Sequence, residues 1–216
     1  MLHFTVIAGP NGAGKSTFSA HFSRPGTLIF DPDKEKARIE KAYPDISEEA
    51  VQTAITRKYD GYELRAIGDK KHLTVETNLR NAFLGERAVW FREEAKYNTR
   101  LIFMMLPDIE SSMDRVNLRV KQKGHFVDSD NIKQNFEMSR ENLLSTAGMF
   151  NEVMLVCAAS AYGIISRPEL LLTIKNQRIS EMAATIPDWA ADVVSGVIKL
   201  ATAVGDDTSY NRKRSR

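Results

Sequence analysis

The residues most suited to chemistry form one short run near the N-terminus. The run consists of Gly9, Pro10, Asn11, Gly12, Ala13, Gly14, Lys15, Ser16 and Thr17. Its glycines let backbone N–H groups surround a phosphate, because no Cβ atom obstructs the approach. Lys15 has the charge to bridge the β- and γ-phosphates of a nucleoside triphosphate, and the Ser16 hydroxyl can be a ligand of Mg²⁺. The run therefore predicts a nucleotide-binding loop.

The motifs that the sequence lacks narrow the choice of nucleotide. The Asn-Lys-x-Asp motif with which GTPases read guanine is absent, which favours ATP, and we predict ATP and Mg²⁺ as cofactors. The Leu-Ser-Gly-Gly-Gln signature of transporter ATPases is also absent. No cluster of histidine and cysteine indicates zinc, and no Gly-x-Ser-x-Gly run indicates a hydrolase triad.

Three acidic residues lie at the ends of apolar runs and are candidates for the acceptor side of a phosphoryl-transfer site. Asp31 and Asp33 come directly after the run that ends at Phe30, and Glu76 ends the run His72 to Glu76. Phosphoryl transfer to a hydroxyl needs a carboxylate that orients the acceptor and takes its proton, and further oxygen ligands for Mg²⁺. Ordinary turn and helix-cap chemistry is the alternative for the pair at 31 and 33.

Two arginines are spaced for one face of a helix. Arg115 and Arg119 are four residues apart, with Val116 and Val120 on an adjacent apolar face. Two guanidiniums on one face can reach triphosphate oxygens and offset charge in the transition state of phosphoryl transfer. The alternative to this phosphate-binding role is that the two arginines form a solvated basic face of the helix. His125 follows in a glycine-containing segment that we interpret as a loop closing over the nucleotide.

The elements that must position these residues alternate between strand and helix. Apolar runs predict strands at 2–8, 27–30, 72–76, 99–106 and 152–157. Helical patterns begin near Lys15 and cover 47–70, 79–97, about 108–123 and about 128–150, with Gly61 as a possible break. Candidate N-terminal caps of three of these helices are Ser47, Asp108, and Asp128 or Ser129. The pattern also predicts one or two antiparallel edge strands at 162–174 and a terminal helix at 187–203. Continuous apolar strands alternating with helices are typical of a parallel sheet covered on both faces.

This order predicts the fold class and the domain organisation. We expect an α/β fold of the P-loop NTPase type, with three layers and a mostly parallel sheet of five or more strands. Residues 1–160 would form the kinase core, and 161–205 would add edge strands and a helix to the same domain. Residues 206–216 would be a disordered basic tail. Ligands of such sheets bind at the C-terminal ends of the strands, where the acids lie.

Composition limits the classes of partner and compartment. The 30 basic and 28 acidic residues nearly cancel, so no global field favours nucleic acid, and the basic run at 212–216 is a weak candidate for it. The single cysteine, Cys157, lies in an apolar run and predicts a buried thiol in a reducing compartment. We see neither a signal peptide nor an apolar stretch long enough to span a membrane. These features predict a cytoplasmic protein.

Taken together, the motifs resemble the zeta toxin family of P-loop kinases. The resemblance is carried by the loop at 9–17, Asp-Pro-Asp at 31–33, Glu-Thr-Asn-Leu at 76–79 and the run from Arg115 to Val127. The last of these is similar to the family pattern Arg-Val-x-x-Arg-Val-x-x-Gly-Gly-His-x-Val. Two residues depart from the family: Lys123 replaces the first glycine of Gly-Gly-His, and Asp31 stands where short relatives more often carry asparagine.

The resemblance implies roles for these residues. Asp33 matches the acid that activates the acceptor hydroxyl, and Arg115 and Arg119 match the phosphate-binding arginines. Glu76 matches the acid on the substrate side. Asp31, Thr77 and His125 belong to matching segments and are candidate substrate-binding residues, and Glu76 is also a candidate metal ligand beside Ser16.

The family also implies a substrate and a partner. Characterised zeta toxins phosphorylate a sugar hydroxyl of UDP-N-acetylglucosamine and are held inactive by a small antitoxin. We therefore expect a kinase acting on a small, nucleotide-like acceptor and a separate antitoxin protein. The alternative is a regulatory ATPase or nucleotide-gated binding module without kinase activity.

Overall fold

A computed structural model describes the backbone of residues 1–121, 127–157 and 168–211, and side chains as far as residue 200. Strands and helices alternate from the N-terminus to β5, after which two strands precede the last helix. In chain order the elements are β1 (His3–Ala8), α1 (Lys15–Phe22), β2 (Leu28–Phe30), α2 (Pro32–Ala42), α3 (Glu48–Gly68), β3 (Leu73–Thr77), α4 (Phe83–Glu93), β4 (Asn98–Met105), α5 (Ile109–Lys121), α6 (Ser129–Thr146), β5 (Glu152–Cys157), β6 (Glu169–Lys175), β7 (Arg178–Met182) and α7 (Asp188–Asn211).

The strands form one sheet in the order β2-β3-β1-β4-β5-β6-β7. β1 to β5 pair in parallel, while β6 and β7 add an antiparallel edge. β1 is central, and its Ile7 lies opposite Glu76 of β3 and Ile102 of β4. The C-terminal ends of β1, β2 and β3 therefore meet at one edge of the sheet. The prediction of a mostly parallel α/β sheet of five or more strands is confirmed.

Apolar side chains cover both faces of the sheet. The larger cluster packs one face against α3, α4 and α7, and includes Phe4, Phe91 and Val193. The smaller cluster lies beneath the loop after β1 and includes Ile7, Ile102 and Phe136. Because the central strands are buried on both sides, they are continuous apolar runs rather than alternating ones.

Phe91 is expected to carry much of the packing of α4 on the sheet. Its ring is fully buried and stacks on Phe4, with centroids 4.3 Å apart and an interplanar angle of 4°. Phe91→Ala should lower the free energy of unfolding by about 3–5 kcal/mol, because the loss of apolar burial adds to the cost of a cavity. Denaturant unfolding would measure the change. Leu64→Ala is the control, since Leu64 is 72% exposed. Similar losses in the two variants would contradict the expectation.

Capping residues set three helix starts as the sequence predicts. Ser47 accepts a hydrogen bond from the Ala50 N–H, at 3.3 Å. Asp108 and Asp128 do the same for the N–H groups of Ser111 and Asn131, at 2.7 and 2.9 Å. Each oxygen satisfies an amide that has no partner inside its helix.

Several predicted boundaries are wrong for local reasons. α3 runs through Gly61 without a break, and α4 begins at Phe83 rather than at 79. Leu79 has φ 55°, a left-handed conformation that a right-handed helix cannot contain. α2, in a region where we expected helices from residue 34 onward, starts at Pro32, whose ring presets φ for a first helical turn.

The C-terminal elements are also displaced from their predicted positions. The predicted strands at 162–174 are a hairpin, Glu169–Lys175 and Arg178–Met182, and residues 158–167 lie outside the described residues. The last helix runs from Asp188 to Asn211 and so overlaps the first residues of the predicted tail at 206–216. In the part of the chain that the structure describes, no helix is long and apolar enough to cross a membrane.

Candidate functional site

The loop between β1 and α1 has the shape of a phosphate cradle. Gly9 and Gly12 have φ of 143° and 75°, values that residues with a Cβ rarely adopt. A Cβ at Gly9 would lie 2.4 Å from the Met104 carbonyl oxygen, and one at Gly12 would lie 2.9 Å from the Arg115 Cβ. Both positions therefore require glycine, for backbone conformation and for space. The loop leads directly into α1, whose N-terminal amides favour an anion.

Lys15 is fixed above this loop by three acceptors. Its Nζ donates to the carbonyl oxygens of Gly9 and Pro10, at 2.8 and 2.9 Å, and to Asn78 Oδ1 at 2.7 Å. Loss of hydration lowers the pKa of Lys15 to about 8, although nearby carboxylates, Asp33 foremost, oppose the shift. The amine is thus held by neutral oxygens beside the cradle. A phosphate oxygen would have to replace at least one of them.

The Ser16 hydroxyl lies between two carboxylates from different strand ends. Its Oγ is 2.9 Å from Asp31 Oδ2 and 2.5 Å from Glu76 Oε2. A hydroxyl has one proton, so it can donate to only one carboxylate at a time. Burial and the charge of Asp31 raise the pKa of Glu76, while hydrogen bonding to Ser16 and Ser19 opposes the rise.

This arrangement fits a divalent cation. Glu76 is 2% exposed, and its Oε1 has no hydrogen-bond partner within bonding distance in the described part of the chain. Two carboxylates around one hydroxyl supply the oxygen ligands that Mg²⁺ prefers, and Mg²⁺ usually takes the remainder from phosphates and water. Among the described residues, no group of three histidines, cysteines or acids could hold a metal by itself. The donor set therefore suits a cation that arrives with a nucleotide.

Asp31 and Asp33 have different positions although they are two residues apart. Asp31 caps α2, because its Oδ1 accepts from the backbone N–H groups of Asp33 and Lys34. It is also paired with the Lys34 ammonium at 3.0 Å. Asp33 lies in the first turn of α2 and lines the same cleft as Lys15. Helix-cap chemistry thus accounts for Asp31, while Asp33 faces the cleft.

α5 presents its two arginines to this cleft. Arg115 and Arg119 both line it, and the buried Val116 holds α5 on the protein. Arg115 Nη1 donates to the Gly12 carbonyl oxygen at 3.4 Å. Burial lowers the pKa of Arg115, but a guanidinium keeps its charge at neutral pH. The predicted pair is therefore brought to the phosphate loop.

The structure leaves the predicted roles of two other residues open. Thr77 is half-buried, and its Oγ1 accepts from the Leu79 N–H at 2.9 Å, which shapes the backbone after β3. His125 lies outside the described residues, as do Lys123 and Gly124. The roles of Thr77 and His125 stay predictions.

Sequence reasoning missed the amides that tie the cleft together. Asn78 contacts Lys15, and Asn135 of α6 contacts Asn11 in the loop at 2.5 Å. Asn78 belongs to the Glu-Thr-Asn-Leu motif at 76–79, so its position in the sequence could have identified it as a residue of the site. Asn135 lies 124 residues from Asn11, in a helix whose pattern gives no sign of the contact.

Comparisons with known proteins agree on a family and on a fold. The zeta toxin family model matches residues 3–161. No curated protein matches the sequence. The structure of the AvrRxo1-ORF1:AvrRxo1-ORF2 complex with sulphate ions aligns with a TM-score of 0.59 at 11% identity, over 93% of this chain and 76% of that chain. The structure of the same complex with ATP aligns with a TM-score of 0.59 at 11% identity, over 94% of this chain and 76% of that chain.

Two further solved structures share the fold. The PezAT chromosomal toxin-antitoxin system of Streptococcus pneumoniae aligns with a TM-score of 0.55 at 15% identity, over 100% of this chain and 88% of that chain. The Pnkp1/Rnl/Hen1 RNA repair complex aligns with a TM-score of 0.54 at 16% identity, over 65% of this chain. This chain spans 45% of the length of that one.

Proposed function

This chain belongs to the zeta toxin family, and from that premise we propose that it is an ATP-dependent kinase that phosphorylates a hydroxyl of a small, nucleotide-like molecule. The single observation that carries the proposal is the meeting of Lys15, Asp33 and Arg119 around one cleft at the phosphate loop. Nucleotide binding alone does not require a further carboxylate in the cleft besides the two around Ser16. Transfer to a hydroxyl does require one.

The loop side of the cleft binds the nucleotide. The amides of residues 9–17 and the charge of Lys15 hold the phosphates. Ser16, with Asp31 and Glu76 around its hydroxyl, would hold Mg²⁺, which when bound neutralises charge on the phosphates. The structure of the AvrRxo1 complex with ATP supports the choice of ATP.

Asp33 is the proposed base of the transfer. The acceptor oxygen forms a bond to the γ-phosphorus, the bond from that phosphorus to the bridging oxygen of ADP breaks, and the hydroxyl proton passes to the Asp33 carboxylate. Arg115 and Arg119 donate to the oxygens of the phosphoryl group while it moves. Glu76 keeps Ser16 in place and orients the acceptor or the metal.

UDP-N-acetylglucosamine is the first acceptor to test, because the family resemblance carries it. Lys123, which lies outside the described residues, stands where the family pattern has glycine, and it is a candidate determinant of the acceptor. The experiment is incubation with labelled ATP and a panel of nucleotide sugars, dinucleotides and nucleosides. Label on one acceptor supports the kinase, whereas ATP hydrolysis without any labelled acceptor favours the regulatory ATPase. Label on another member of the panel would keep the kinase and exclude UDP-N-acetylglucosamine as its substrate.

A separate antitoxin is the proposed protein partner. PezAT is a toxin-antitoxin system, and AvrRxo1-ORF1 was solved as a complex with AvrRxo1-ORF2. Co-expression with the product of a neighbouring gene, followed by co-purification, would test for such a partner. Purification of the chain without the co-expressed product would count against it.

The affinity for ATP should fall as pH rises from 7 to 9. With a pKa of about 8, Lys15 of the nucleotide-free protein is about 90% charged at pH 7 and about 10% charged at pH 9. Only the charged form attracts phosphate, so proton loss opposes binding, and Kd should rise about tenfold across this range. Calorimetric titration with Mg²⁺ and ATP would measure it. Lys15→Arg is the control, since its guanidinium stays charged and a binding-competent variant should lose the pH dependence. A constant wild-type Kd would contradict the lysine's role.

A further inference from the structure

We propose that Asn135 is a positioning residue that couples the phosphate loop to the segment after β3, so that a change in one half of the cleft alters binding in the other. The inference deepens the proposed function, on which it rests for the roles of the two halves. What we call the segment after β3 covers residues 76–80 and includes the last two residues of that strand. It carries Glu76 and Asn78, which contact Ser16 and Lys15.

Asn135 uses both ends of its amide to join two distant parts of the chain. It is 2% exposed on α6, where its Nδ2 donates to Asn11 Oδ1 at 2.5 Å. Its Oδ1 accepts a hydrogen bond from Arg80 Nε. A buried amide that loses either partner is left with an unsatisfied polar group, so the two contacts support each other.

Asn11 is held from a second side as well. Its backbone oxygen accepts from Ser112 Oγ at 2.7 Å, and both residues are buried. Ser112 belongs to α5, the helix that carries Arg115 and Arg119. The phosphate loop is therefore tied to α5 through its backbone and to α6 through the Asn11 side chain.

Arg80 is held by neutral groups. Besides Asn135, it contacts Asn131 Oδ1 through Nη2 at 2.7 Å, and among the described residues no carboxylate is paired with it. A planar guanidinium that donates to two amide oxygens of α6 is fixed in direction as well as in distance. Arg80 thus fastens the segment after β3 to the helix that holds Asn11.

The segment that Arg80 fastens is strained. Leu79 is 1% exposed and has φ 55°, a left-handed conformation that is unfavourable for a residue with a Cβ. The Thr77 hydroxyl on one side and the Arg80 contacts on the other hold it there. Loss of the Arg80 contacts would let this segment relax, and Glu76 and Asn78 would move relative to Ser16 and Lys15.

The test is a double-mutant cycle on Arg80→Met and Asn135→Leu, read as the Kd for ATP with Mg²⁺ and no acceptor present. In the structure Arg80 makes no hydrogen bond to the loop, yet Arg80→Met should weaken ATP binding about fivefold or more, the range of ordinary site-to-site coupling. In the Asn135→Leu background its effect should be much smaller, because the connection to Asn11 is already lost and only the Asn131 contact of Arg80 remains to be removed.

Two additional variants keep the test decisive if Asn135→Leu does not fold. Asn131→Ala removes one Arg80 contact at an accessible position and should weaken ATP binding in the same direction but less. Arg80→Lys should not restore affinity, since a lysine lacks the fork that spans two amides. Arg57→Met, at an exposed position of α3, is the control for the loss of a positive charge.

The possible results separate this inference from the kinase proposal. An unchanged Kd in Arg80→Met, or effects of the two substitutions that multiply independently, would overturn the coupling. Failure of phosphoryl transfer to every acceptor would overturn the kinase and leave the coupling result standing, because no acceptor enters this measurement. A wild-type protein that does not bind ATP would overturn both.

Discussion

Replacing Asp33 by asparagine should lower the turnover of phosphoryl transfer by about 10²–10⁴-fold, the contribution typical of a positioned general base. Asparagine has nearly the same shape and fits the first turn of α2, but it cannot take the proton of an acceptor hydroxyl at neutral pH. Steady-state kinetics with labelled ATP would give kcat, and calorimetry would give the Kd for ATP.

The affinity for ATP should change little in the same variant. Loss of the Asp33 charge removes repulsion toward the triphosphate, and it also removes a charge that raises the pKa of Lys15. The two effects oppose each other at pH 7. Asp60→Asn, at an exposed position of α3, is the matched control and should keep full activity. Undiminished transfer by Asp33→Asn would exclude Asp33 as the base.

Replacing Arg119 by methionine should reduce kcat by about 10³-fold or more, as for arginines that stabilise phosphoryl transfer elsewhere. Arg119 lines the cleft on the side of α5, and its charge is felt at Lys15. A guanidinium that contacts the moving phosphoryl group stabilises the transition state more than bound ATP, so KM for ATP should change less than kcat.

Substitution of Arg119 tests the transfer step more directly than substitution of Arg115 would. Arg115 contacts the Gly12 carbonyl oxygen, and its Cβ adjoins Gly12, so its removal would also disturb the loop. Arg119→Lys should recover only part of the loss, because an ammonium cannot form a bidentate contact. Arg57→Met again controls for charge. A KM effect without a kcat effect would assign Arg119 to ground-state binding instead.

Local sequence was enough to predict the elements that contain their own signals. The loop from Gly9 to Ser16 lies between β1 and α1 as predicted, because its glycines, its lysine and the flanking apolar run act within a few residues. Ser47, Asp108 and Asp128 were identified as helix caps for the same reason: the oxygen and the amide that it caps are three residues apart. Such contacts need no knowledge of the rest of the chain.

Boundaries that depend on long-range packing were predicted less well. α4 was expected at 79, but the segment after β3 is pulled into a left-handed turn at Leu79. The Leu79 side chain is buried, and Arg80 donates hydrogen bonds to Asn135 and Asn131 of α6. Helical propensity favours continuing the helix toward the strand, and the tertiary contacts override it.

Local sequence patterns were sufficient to predict a phosphate loop on a mostly parallel α/β sheet and to indicate the acids and arginines of a transfer site. The different positions of these acids became visible in the folded chain: Asp31 caps α2 and contacts Ser16, whereas Asp33 lines the cleft. The tertiary structure alone brought Asn135 to Asn11 and Asn78 to Lys15. Hydrogen bonds between side chains far apart in the chain have no periodic or local signature, because their partners meet only when the sheet and helices pack.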